Sequence, residues 1–476
     1  MNNIYDTEIC FVCLISANKC CIVYILNIKN GVDRMAINNY DEMGVVAKYQ
    51  RIPYYPIAFE RGKGALLYDY DGKEYIDFLA SASSANAGHG NEEIAEAVYN
   101  QMKNITQYAS AYFQMREPVI LAEKLIELTG KKDMQVAYST TGSESIDCAI
   151  KVARAYTGRS KIISFTEAYH GSTYGAMSIS ALSLNMRRKM GPLLPEVYHF
   201  KYPDSLRGRK EEGKEYDGME CIEEIRYAFE HYLPAEEVAA VFFEPIAGDM
   251  GLVVPPKRFV QELHKLCKEH GILFVVDDIQ QGMCRTGKWF SIDNFDVEPD
   301  LTVLGKSVGG GLPLGVVIGK KEIMDSLDSP AHLFTMSGNS AVCTAALKSI
   351  EIFERENMNE QVVEKGEYLK GKLSKLMDKY DFIGEVRGIG LSIGVDLVKD
   401  RKTMEKNYDA AAKISYKCIE NGLLMIFVGQ NSLRVQPPLV ITKEQIDKAV
   451  DIIDKVMNDY ENGRIGDEVF EHMQGW

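Results

Sequence analysis

The sequence predicts an α/β fold in which a large domain with a central, mainly parallel sheet is followed by a smaller α+β domain. Two observations lead to this expectation. Between residues 91 and 345, short apolar segments rich in β-branched residues alternate with helical periodicity. Strands that are apolar on both faces are typical of a parallel sheet covered by helices on both sides. After residue 345, long amphipathic helices alternate with short strands, which indicates an α+β domain.

The expected elements follow in chain order. Residues Ile52–Asp77 contain the turn Asp69-Tyr70-Asp71-Gly72-Lys73 and predict a short β-meander. The strands expected in the large domain are Val136–Tyr138, Lys161–Phe165, Val238–Phe243, Ile272–Val276, Leu301–Leu304 and Gly315–Ile318, with a helix at Glu144–Tyr156. The small domain is expected to hold the helices Glu360–Lys379, Asp409–Asn421 and Thr442–Tyr460 and the strands Leu391–Leu397 and Leu433–Gln436.

These elements divide the chain into four parts. Residues 1–34 form an extension, residues 35–90 a segment that packs with the small domain, residues 91–345 the large domain, and residues 346–476 the small domain. The extension holds two apolar runs, Ile9–Ile15 and Cys20–Ile28, that are too short to span a membrane. Because Met35 opens sequence of ordinary globular character, we interpret the extension as a start-site artefact rather than an anchor.

The composition narrows the possible functions. A net charge of −14 and a pI near 5.2 argue against sequence-independent nucleic-acid binding, because that binding depends on Lys and Arg that neutralise phosphates. No membrane association is expected either. The ten cysteines lack metal-ligand spacing, and the pair Cys10 and Cys13 has no second pair or histidine partner, so no metal is expected. Scattered thiols indicate a cytoplasmic protein.

A lysine and a carboxylate point to a cofactor. Asp277 follows the apolar strand Ile272–Val276, and Lys306 follows the strand Leu301–Leu304. Open α/β sheets bind ligands at the carboxyl ends of their strands. Pyridoxal phosphate requires a lysine that bonds its aldehyde carbon and a carboxylate that keeps its pyridine nitrogen protonated. The pair therefore predicts a pyridoxal phosphate site, the alternative being that Asp277 and Asp278 cap the following turn.

Three further segments fit such a site. Gly142 and Ser143 stand at the start of a predicted helix, where free N–H groups and a hydroxyl suit a phosphate, although a Ser-Glu pair is also an ordinary helix cap. Tyr169, just after a strand, can stack on a planar cofactor or pack in the core. Gln280, three residues after Asp277, can bond the ring hydroxyl oxygen.

From about Ile52 to the C-terminus, these motifs and their order resemble the class III aminotransferases, which are fold type I pyridoxal phosphate enzymes. The resemblance implies that Lys306 binds the cofactor covalently and that Asp277 pairs with its ring nitrogen. It assigns the other cofactor contacts to Gly142, Ser143, Tyr169 and Gln280. It also implies that Thr335 reaches the phosphate of the neighbouring subunit in a homodimer or a dimer of dimers, and that Arg434 binds the substrate carboxylate.

The segment that ends at Asp249 departs from most of this family. Transaminating members generally have glutamate at this position, and the sequence Phe243-Glu244-Pro245-Ile246-Ala247-Gly248-Asp249 has aspartate. Aspartate there recurs in the branch of isoleucine 2-epimerase and the amino-acid racemases, which Leu79–Ser83 and Ser329–Thr335 also resemble. This branch implies a racemase or 2-epimerase of apolar, branched-chain amino acids, with Asp249 catalytic and Glu244 near the substrate.

Two alternatives stay open. An aminotransferase would use the same residues to pass the amino group to 2-oxoglutarate or pyruvate. A non-catalytic protein on the same fold is the other alternative, against which the intact set of Asp277, Gln280 and Lys306 argues, because such proteins typically lose the lysine.

Overall fold

The structure, a computed structural model, describes residues 46–208, 215–471 and 473, together with the backbone of Cys13–Ser16 and Lys19–Ile22. Most of the expected extension, residues 35–45 of the second part and residues 209–214 therefore lie outside the described residues. Cys10 of the Cys10–Cys13 pair lies outside them as well.

The strands of the described residues are β1 (Cys13–Ser16), β2 (Lys19–Ile22), β3 (Phe59–Lys63), β4 (Leu66–Asp69), β5 (Glu74–Asp77), β6 (Met134–Ser139), β7 (Lys161–Phe165), β8 (Val197–Phe200), β9 (Val238–Phe243), β10 (Leu273–Asp277), β11 (Leu301–Leu304), β12 (Gly315–Lys320), β13 (Ile383–Ile389), β14 (Ser392–Leu397), β15 (Leu423–Leu424), β16 (Ile426–Val428) and β17 (Ser432–Val435). The helices are α1 (Ala80–Ser83), α2 (Glu92–Asn104), α3 (Arg116–Thr129), α4 (Gly142–Thr157), α5 (Tyr174–Ile179), α6 (Met219–His231), α7 (Lys257–His270), α8 (Lys321–Met324), α9 (Ser340–Arg355), α10 (Met358–Lys379), α11 (Tyr408–Glu420) and α12 (Lys443–Glu461).

A seven-stranded sheet forms the centre of the molecule, with the strand order β6-β12-β11-β10-β9-β7-β8. The strands β8, β7, β9, β10 and β11 pair in parallel, and β12 runs antiparallel to both of its neighbours. Every residue of β9, β10 and β11 is buried, as their uninterrupted apolar sequences require when helices cover both faces. The predicted mainly parallel sheet is confirmed.

The C-terminal part holds a four-stranded antiparallel sheet in the order β13-β14-β17-β16. The helices α10, α11 and α12 contribute buried apolar faces around it. A further sheet joins the N-terminal meander to this part, because β15 pairs in parallel with β5. Strand β13 was not predicted from the sequence, since Glu385 and Arg387 interrupt its apolar pattern.

Helix α12 shows why the amphipathic pattern predicts the elements of this part well. Thr442 accepts a hydrogen bond from the N–H of Gln445, whose side chain accepts one from the N–H of Thr442, so the helix begins with a capping box. Apolar side chains at helical spacing then enter the core, among them Ile446, Ala449 and Ile453. Among the helices of the described residues, none is long and apolar enough to cross a membrane.

Candidate active site

Lys306 and Asp277 meet at the carboxyl edge of the central sheet. Strand β10 ends at Asp277, and the neighbouring parallel strand β11 ends two residues before Lys306, with Asp277 level with Val303. Both side chains line a cavity of about 140 Å³. The predicted residues Gly142, Ser143, Tyr169, Glu244 and Gln280 line the same cavity. The strand register thus gathers residues that lie more than a hundred positions apart in the sequence.

The N-terminus of α4 leaves Ser143 available to a ligand. The helix is capped by Thr141, whose side chain accepts a hydrogen bond from the N–H of Glu144, while the Glu144 carboxylate accepts one from the N–H of Thr141. This capping box satisfies the first turn without Ser143. The Ser143 hydroxyl instead accepts the N–H of Ser172 at 3.2 Å. The alternative that Ser143 is the helix cap is therefore wrong.

Gly171 allows a close approach beside this helix end. Its φ is +135°, and an added Cβ would lie 2.2 Å from the Ser143 hydroxyl oxygen. A side chain at this position would push Ser143 aside. The helix N-terminus, its free N–H groups and the Ser143 hydroxyl therefore form a compact cradle of donors, which suits a phosphate.

Asp277 is held by a histidine to which the sequence alone assigned no role. Its Oδ2 lies 2.7 Å from Nδ1 of His170, and its Oδ1 accepts the N–H of Ile279 at 3.1 Å. The other ring nitrogen of His170 lies 3.3 Å from the hydroxyl of Ser164, whose own proton is donated to the carbonyl of Ile179 at 2.7 Å. Both nitrogens of His170 therefore face acceptors, which favours the doubly protonated ring.

The electrostatics of His170 agree with this geometry. Burial lowers the pKa of His170, but the hydrogen bond and the negative charge of Asp277 outweigh burial, so the pKa is raised overall. A cationic His170 offsets the cost of burying the Asp277 carboxylate, to which it is hydrogen-bonded. An ionised Asp277 is the partner that a protonated pyridine nitrogen needs. The Tyr169-His170-Gly171 sequence was the signal from which His170 could have been found.

Glu244 is a buried carboxyl group whose pKa is raised towards neutral pH. Its two carboxyl oxygens accept the N–H groups of Tyr169 at 3.1 Å and Gly248 at 3.0 Å. Burial raises the pKa of Glu244 to about 7, the positive His170 opposes this, and the negative Asp277 and Asp249 add to it. One ligand atom each from His170, Glu244 and Asp277 lies within 4.8 Å of the others. Their existing partners account for this cluster without a metal ion.

Lys306 occupies a strained position. It begins a short 3₁₀ turn, Lys306–Gly309, with a φ of +49°, which non-glycine residues adopt rarely and mostly where function demands it. Burial lowers the pKa of Lys306; the negative charge of Asp249 opposes this effect, and the positive Arg434 adds to it. A lowered pKa favours the neutral amine, which can act as a nucleophile and as a base.

Asp249 and Arg434 form a buried ion pair beside the cavity. Nη2 of Arg434 donates to Oδ1 of Asp249 at 2.5 Å, and both side chains are less than a tenth exposed. The Nε of Arg434 finds no hydrogen-bond partner among the described residues. Arg434 stands on β17 in the C-terminal part, whereas Asp249 lies in the loop after β9. The pair therefore spans the junction between the two parts of the chain.

The remaining two predicted residues differ in their surroundings. Gln280 lies against Gly248, where an added Cβ would come within 2.2 Å of its side-chain oxygen, and this oxygen accepts from Gln281 at 3.1 Å. Thr335 is exposed and does not line the cavity of its own chain. Its carbonyl accepts from the side chain of Gln107 at 2.8 Å.

The residues of the cavity fit pyridoxal phosphate by their chemistry. The N-terminus of α4 offers N–H donors for a phosphate, and Asp277 with His170 offers a lasting negative charge for a protonated ring nitrogen. Lys306 offers an amine that is deprotonated more easily than usual. An orphaned donor, the Nε of Arg434, remains for a further anion.

Comparisons with known proteins agree with this geometry. The class III aminotransferase family model matches residues 47–457, so the chain belongs to that family. Isoleucine 2-epimerase of Lentilactobacillus buchneri is 43% identical over 89% of this chain and 95% of its own length. Leucine/methionine racemase of Thermococcus litoralis is 42% identical over 91% of this chain and 97% of its own length.

A solved structure extends the comparison to the fold. The ornithine aminotransferase of Toxoplasma gondii, described with partial occupancy of pyridoxal phosphate at its active site, superposes with a TM-score of 0.77 at 29% identity. The match covers 89% of this chain and 94% of that chain. The chain is accordingly an enzyme with the fold of the class III aminotransferases.

Proposed function

We propose that the protein is a pyridoxal phosphate-dependent racemase or 2-epimerase of apolar, branched-chain amino acids. The observation that carries the proposal is the presence of two acid–base groups, Lys306 and Asp249, beside an arginine that fits a carboxylate. The similarity to isoleucine 2-epimerase and to leucine/methionine racemase supports both the reaction and the class of substrate.

The cofactor would be held by residues on four sides. The N-terminus of α4 with Gly142 and Ser143 would bind its phosphate, and Tyr169 would stack on the ring. Asp277, hydrogen-bonded to His170, would pair with the ring nitrogen, while Gln280 would bond the ring hydroxyl. When bound, pyridoxal phosphate withdraws electrons from the α-carbon of an amino acid and makes its proton acidic.

Inversion needs one proton acceptor and one proton donor on opposite faces of the α-carbon. The neutral amine of Lys306, whose pKa is lowered by burial, removes the proton on one face. Asp249 serves the opposite face, where it orients a water that delivers the proton. Arg434 binds the substrate carboxylate through its planar fork, and Glu244 contributes to the substrate-facing wall. Reversing the two roles converts the other enantiomer.

An aminotransferase is the second candidate, favoured by the structural match to ornithine aminotransferase. Lys306 would perform the same first proton removal, but it would return the proton to the cofactor rather than to the α-carbon. The substrate would leave as its keto acid, and its amino group would stay in the site until 2-oxoglutarate or pyruvate arrived. The two candidates therefore differ in whether product forms without a keto acid.

A panel of L-amino acids tests the proposal. The purified protein with pyridoxal phosphate is incubated with each amino acid, with and without a keto acid, and the products are separated by chiral chromatography. We expect the 2-epimer of isoleucine, or the D-enantiomer of leucine or valine, to accumulate without any keto acid. Product that forms only when 2-oxoglutarate or pyruvate is present would replace the racemase by the aminotransferase.

The surface around Thr335 supports a homodimer or a dimer of dimers. The sequence segments around Thr335 and Gln107 carry several exposed apolar side chains, namely Tyr108, Tyr112, Phe113, Leu333 and Met336. Clusters of exposed apolar groups mark surfaces that other proteins cover. A second copy of the chain would bury this apolar face and bring Thr335 to the phosphate of its partner's cofactor.

A cytoplasmic location is part of the same proposal. The six cysteines whose side chains the structure describes are unpaired and buried: Cys148, Cys221, Cys267, Cys284, Cys343 and Cys418. Unpaired thiols are usual in a reducing compartment.

A further inference from the structure

We propose that Arg387 is a positioning residue that holds Asp249 in place independently of Arg434. This inference rests on the proposed racemase function, in which Asp249 serves one face of the α-carbon. Arg387 does not line the cavity and touches neither Lys306 nor Asp249. It would act on Asp249 through the backbone of the loop that carries it.

The first observation is the hydrogen bonding of one carbonyl group. The carbonyl oxygen of Gly251, two residues after Asp249, accepts from Nε of Arg387 at 3.1 Å and from Nη2 of Arg387 at 2.7 Å. It also accepts from the hydroxyl of Ser432 at 3.0 Å. Three donors on a single buried carbonyl, two of them charged, fix that peptide unit more firmly than an ordinary turn does.

The loop that carries Asp249 also packs closely against the small domain. Gly251 has a φ of +124°, and an added Cβ would lie 2.9 Å from Nη2 of Arg387. Gly394 faces the carbonyl oxygen of Gly251, where an added Cβ would lie at 2.6 Å. Gly429 contacts the carbonyl of the preceding residue, Met250, where an added Cβ would lie at 2.0 Å. These glycines let the backbone approach closely enough for Arg387 to reach Gly251.

Arg387 is itself held by buried charges. Its guanidinium donates to Asp396 at 3.1 Å and to Glu385 at 3.0 Å. Asp396 also accepts two hydrogen bonds from Arg207, at 2.9 and 2.6 Å, and one from Asn431 at 2.7 Å. Burial raises the pKa of Asp396, but the hydrogen bonds of Arg207 and the charge of Arg387 prevail and lower it. Asp396 therefore stays ionised and anchors Arg387.

Arg387 and Arg434, which both lie beside this loop, differ in how many of their N–H donors form hydrogen bonds. Arg387 bonds with two carboxylates, a carbonyl and a hydroxyl, whereas the Nε of Arg434 has no partner among the described residues. Arg434 is thus free to take a substrate carboxylate. A substrate carboxylate at Arg434 would compete with Asp249 and repel it. A second tether that does not involve Arg434 keeps Asp249 on its face of the α-carbon.

The test compares inversion with hydrogen exchange at the α-carbon. In deuterated water, Lys306 alone can exchange the proton on its own face, whereas inversion needs Asp249 as well. Arg387→Met and Ser432→Ala remove donors to Gly251. Arg401→Met is the matched control, because Arg401 lies in the same part of the chain and donates to the carbonyls of Ile383 and Tyr380 at 3.0 and 2.9 Å, away from the loop.

We expect Arg387→Met to slow inversion by about 10- to 100-fold, which is the scale of a displacement of roughly 1 Å at a reacting group. In Arg387→Met, hydrogen exchange at the α-carbon should change by less than about threefold, so the ratio of inversion to exchange should fall. Ser432→Ala should lower this ratio by a smaller factor, and Arg401→Met should leave it unchanged. Thermal unfolding of each variant shows whether it is folded, and Ser432→Ala carries the test if Arg387→Met is not.

An equal loss of exchange and inversion, or an unchanged ratio in both variants, would overturn the role of Arg387 while leaving the racemase intact. A wild-type protein that forms no epimer without a keto acid would overturn the proposed function, and this inference with it.

Discussion

At the residue scale, the site depends on how each charged group is neutralised. Asp277 has a permanent partner in His170, Asp396 has two arginines, and Arg434 shares one hydrogen bond with Asp249. The sequence could not predict the hydrogen bond between Arg434 and Asp249, because these residues lie 185 positions apart in two different parts of the chain. The strand-end positions of Asp277 and Lys306, in contrast, follow directly from the apolar strands before them.

Arg434→Lys should weaken substrate binding far more than cofactor binding. A lysine cannot make the two parallel hydrogen bonds that a guanidinium makes with a carboxylate, and the loss should be about 2–4 kcal/mol. Steady-state kinetics should show a KM for amino acids that is higher by roughly 30-fold or more. The affinity for pyridoxal phosphate, measured by its absorbance, is the control and should change little. Equal KM values in wild type and variant would remove Arg434 from the carboxylate site.

Asp278 should make the stability depend on pH. The side chain is 1% exposed, and burial raises the pKa of Asp278 to about 7 despite hydrogen bonds from Ser291. The folded protein therefore keeps a proton that the unfolded chain, with an aspartate pKa of about 3.9, has already released. This contribution to stability is present at low pH and is lost as the pH rises from about 4 to about 7.

Asp278→Asn removes this titration. The free energy of unfolding, measured with urea from pH 5 to pH 8, should fall less steeply with pH in the variant than in the wild type. Asp381→Asn is the control, because Asp381 is exposed, and its slope should match the wild type. The same slope in Asp278→Asn and wild type would show that Asp278 is already ionised at pH 5.

At the element scale, strands were more predictable than the contacts between them. The strands β9, β10 and β11 were expected because nearly all of their residues are apolar, and helices α10, α11 and α12 because their apolar residues recur at helical spacing. Strand β13 escaped prediction because it carries Glu385 and Arg387. Arg387 donates to Glu385 and to Asp396 on β14, and across the junction to the carbonyl of Gly251. Polar residues that serve long-range contacts interrupt the periodic pattern on which such predictions depend.

The helix α4 offers a test of the phosphate cradle. Gly171→Ala should weaken cofactor binding by about tenfold or more, because its Cβ would overlap Ser143 and its φ suits glycine. Gly158→Ala is the matched control at the opposite end of the same helix, where φ is +68° and an added Cβ meets open space. It should lower stability and leave cofactor affinity intact. Titration with pyridoxal phosphate compares the two, and equal affinities would remove the cradle from the cofactor site.

At the scale of the whole molecule, the chain is predicted to work as at least a dimer. The apolar face around Thr335 is exposed in the single chain, with Phe113 65% and Met336 51% exposed. These side chains lie outside the buried core, so the apolar pattern that predicts core residues does not predict where they lie. We propose that a partner subunit covers these side chains and that the hydroxyl of Thr335 completes the phosphate site of that partner.

Replacing both Phe113 and Met336 by Asp should weaken self-association and cofactor binding together, since like charges would face each other across the interface. Analytical ultracentrifugation measures the first effect and cofactor absorbance the second. Tyr227→Asp, which changes another exposed aromatic residue, should alter neither. A wild-type monomer with full activity at assay concentration would contradict the contribution of Thr335 from a partner.

The central claim, inversion of an amino acid by Lys306 and Asp249, is tested most directly with L-isoleucine in deuterated water without a keto acid. The account predicts that the 2-epimer accumulates with deuterium at Cα. It also predicts that Asp249→Glu slows inversion more than exchange. No epimer in the absence of 2-oxoglutarate or pyruvate, together with a nearly silent Asp249→Glu, would contradict the account and identify an aminotransferase.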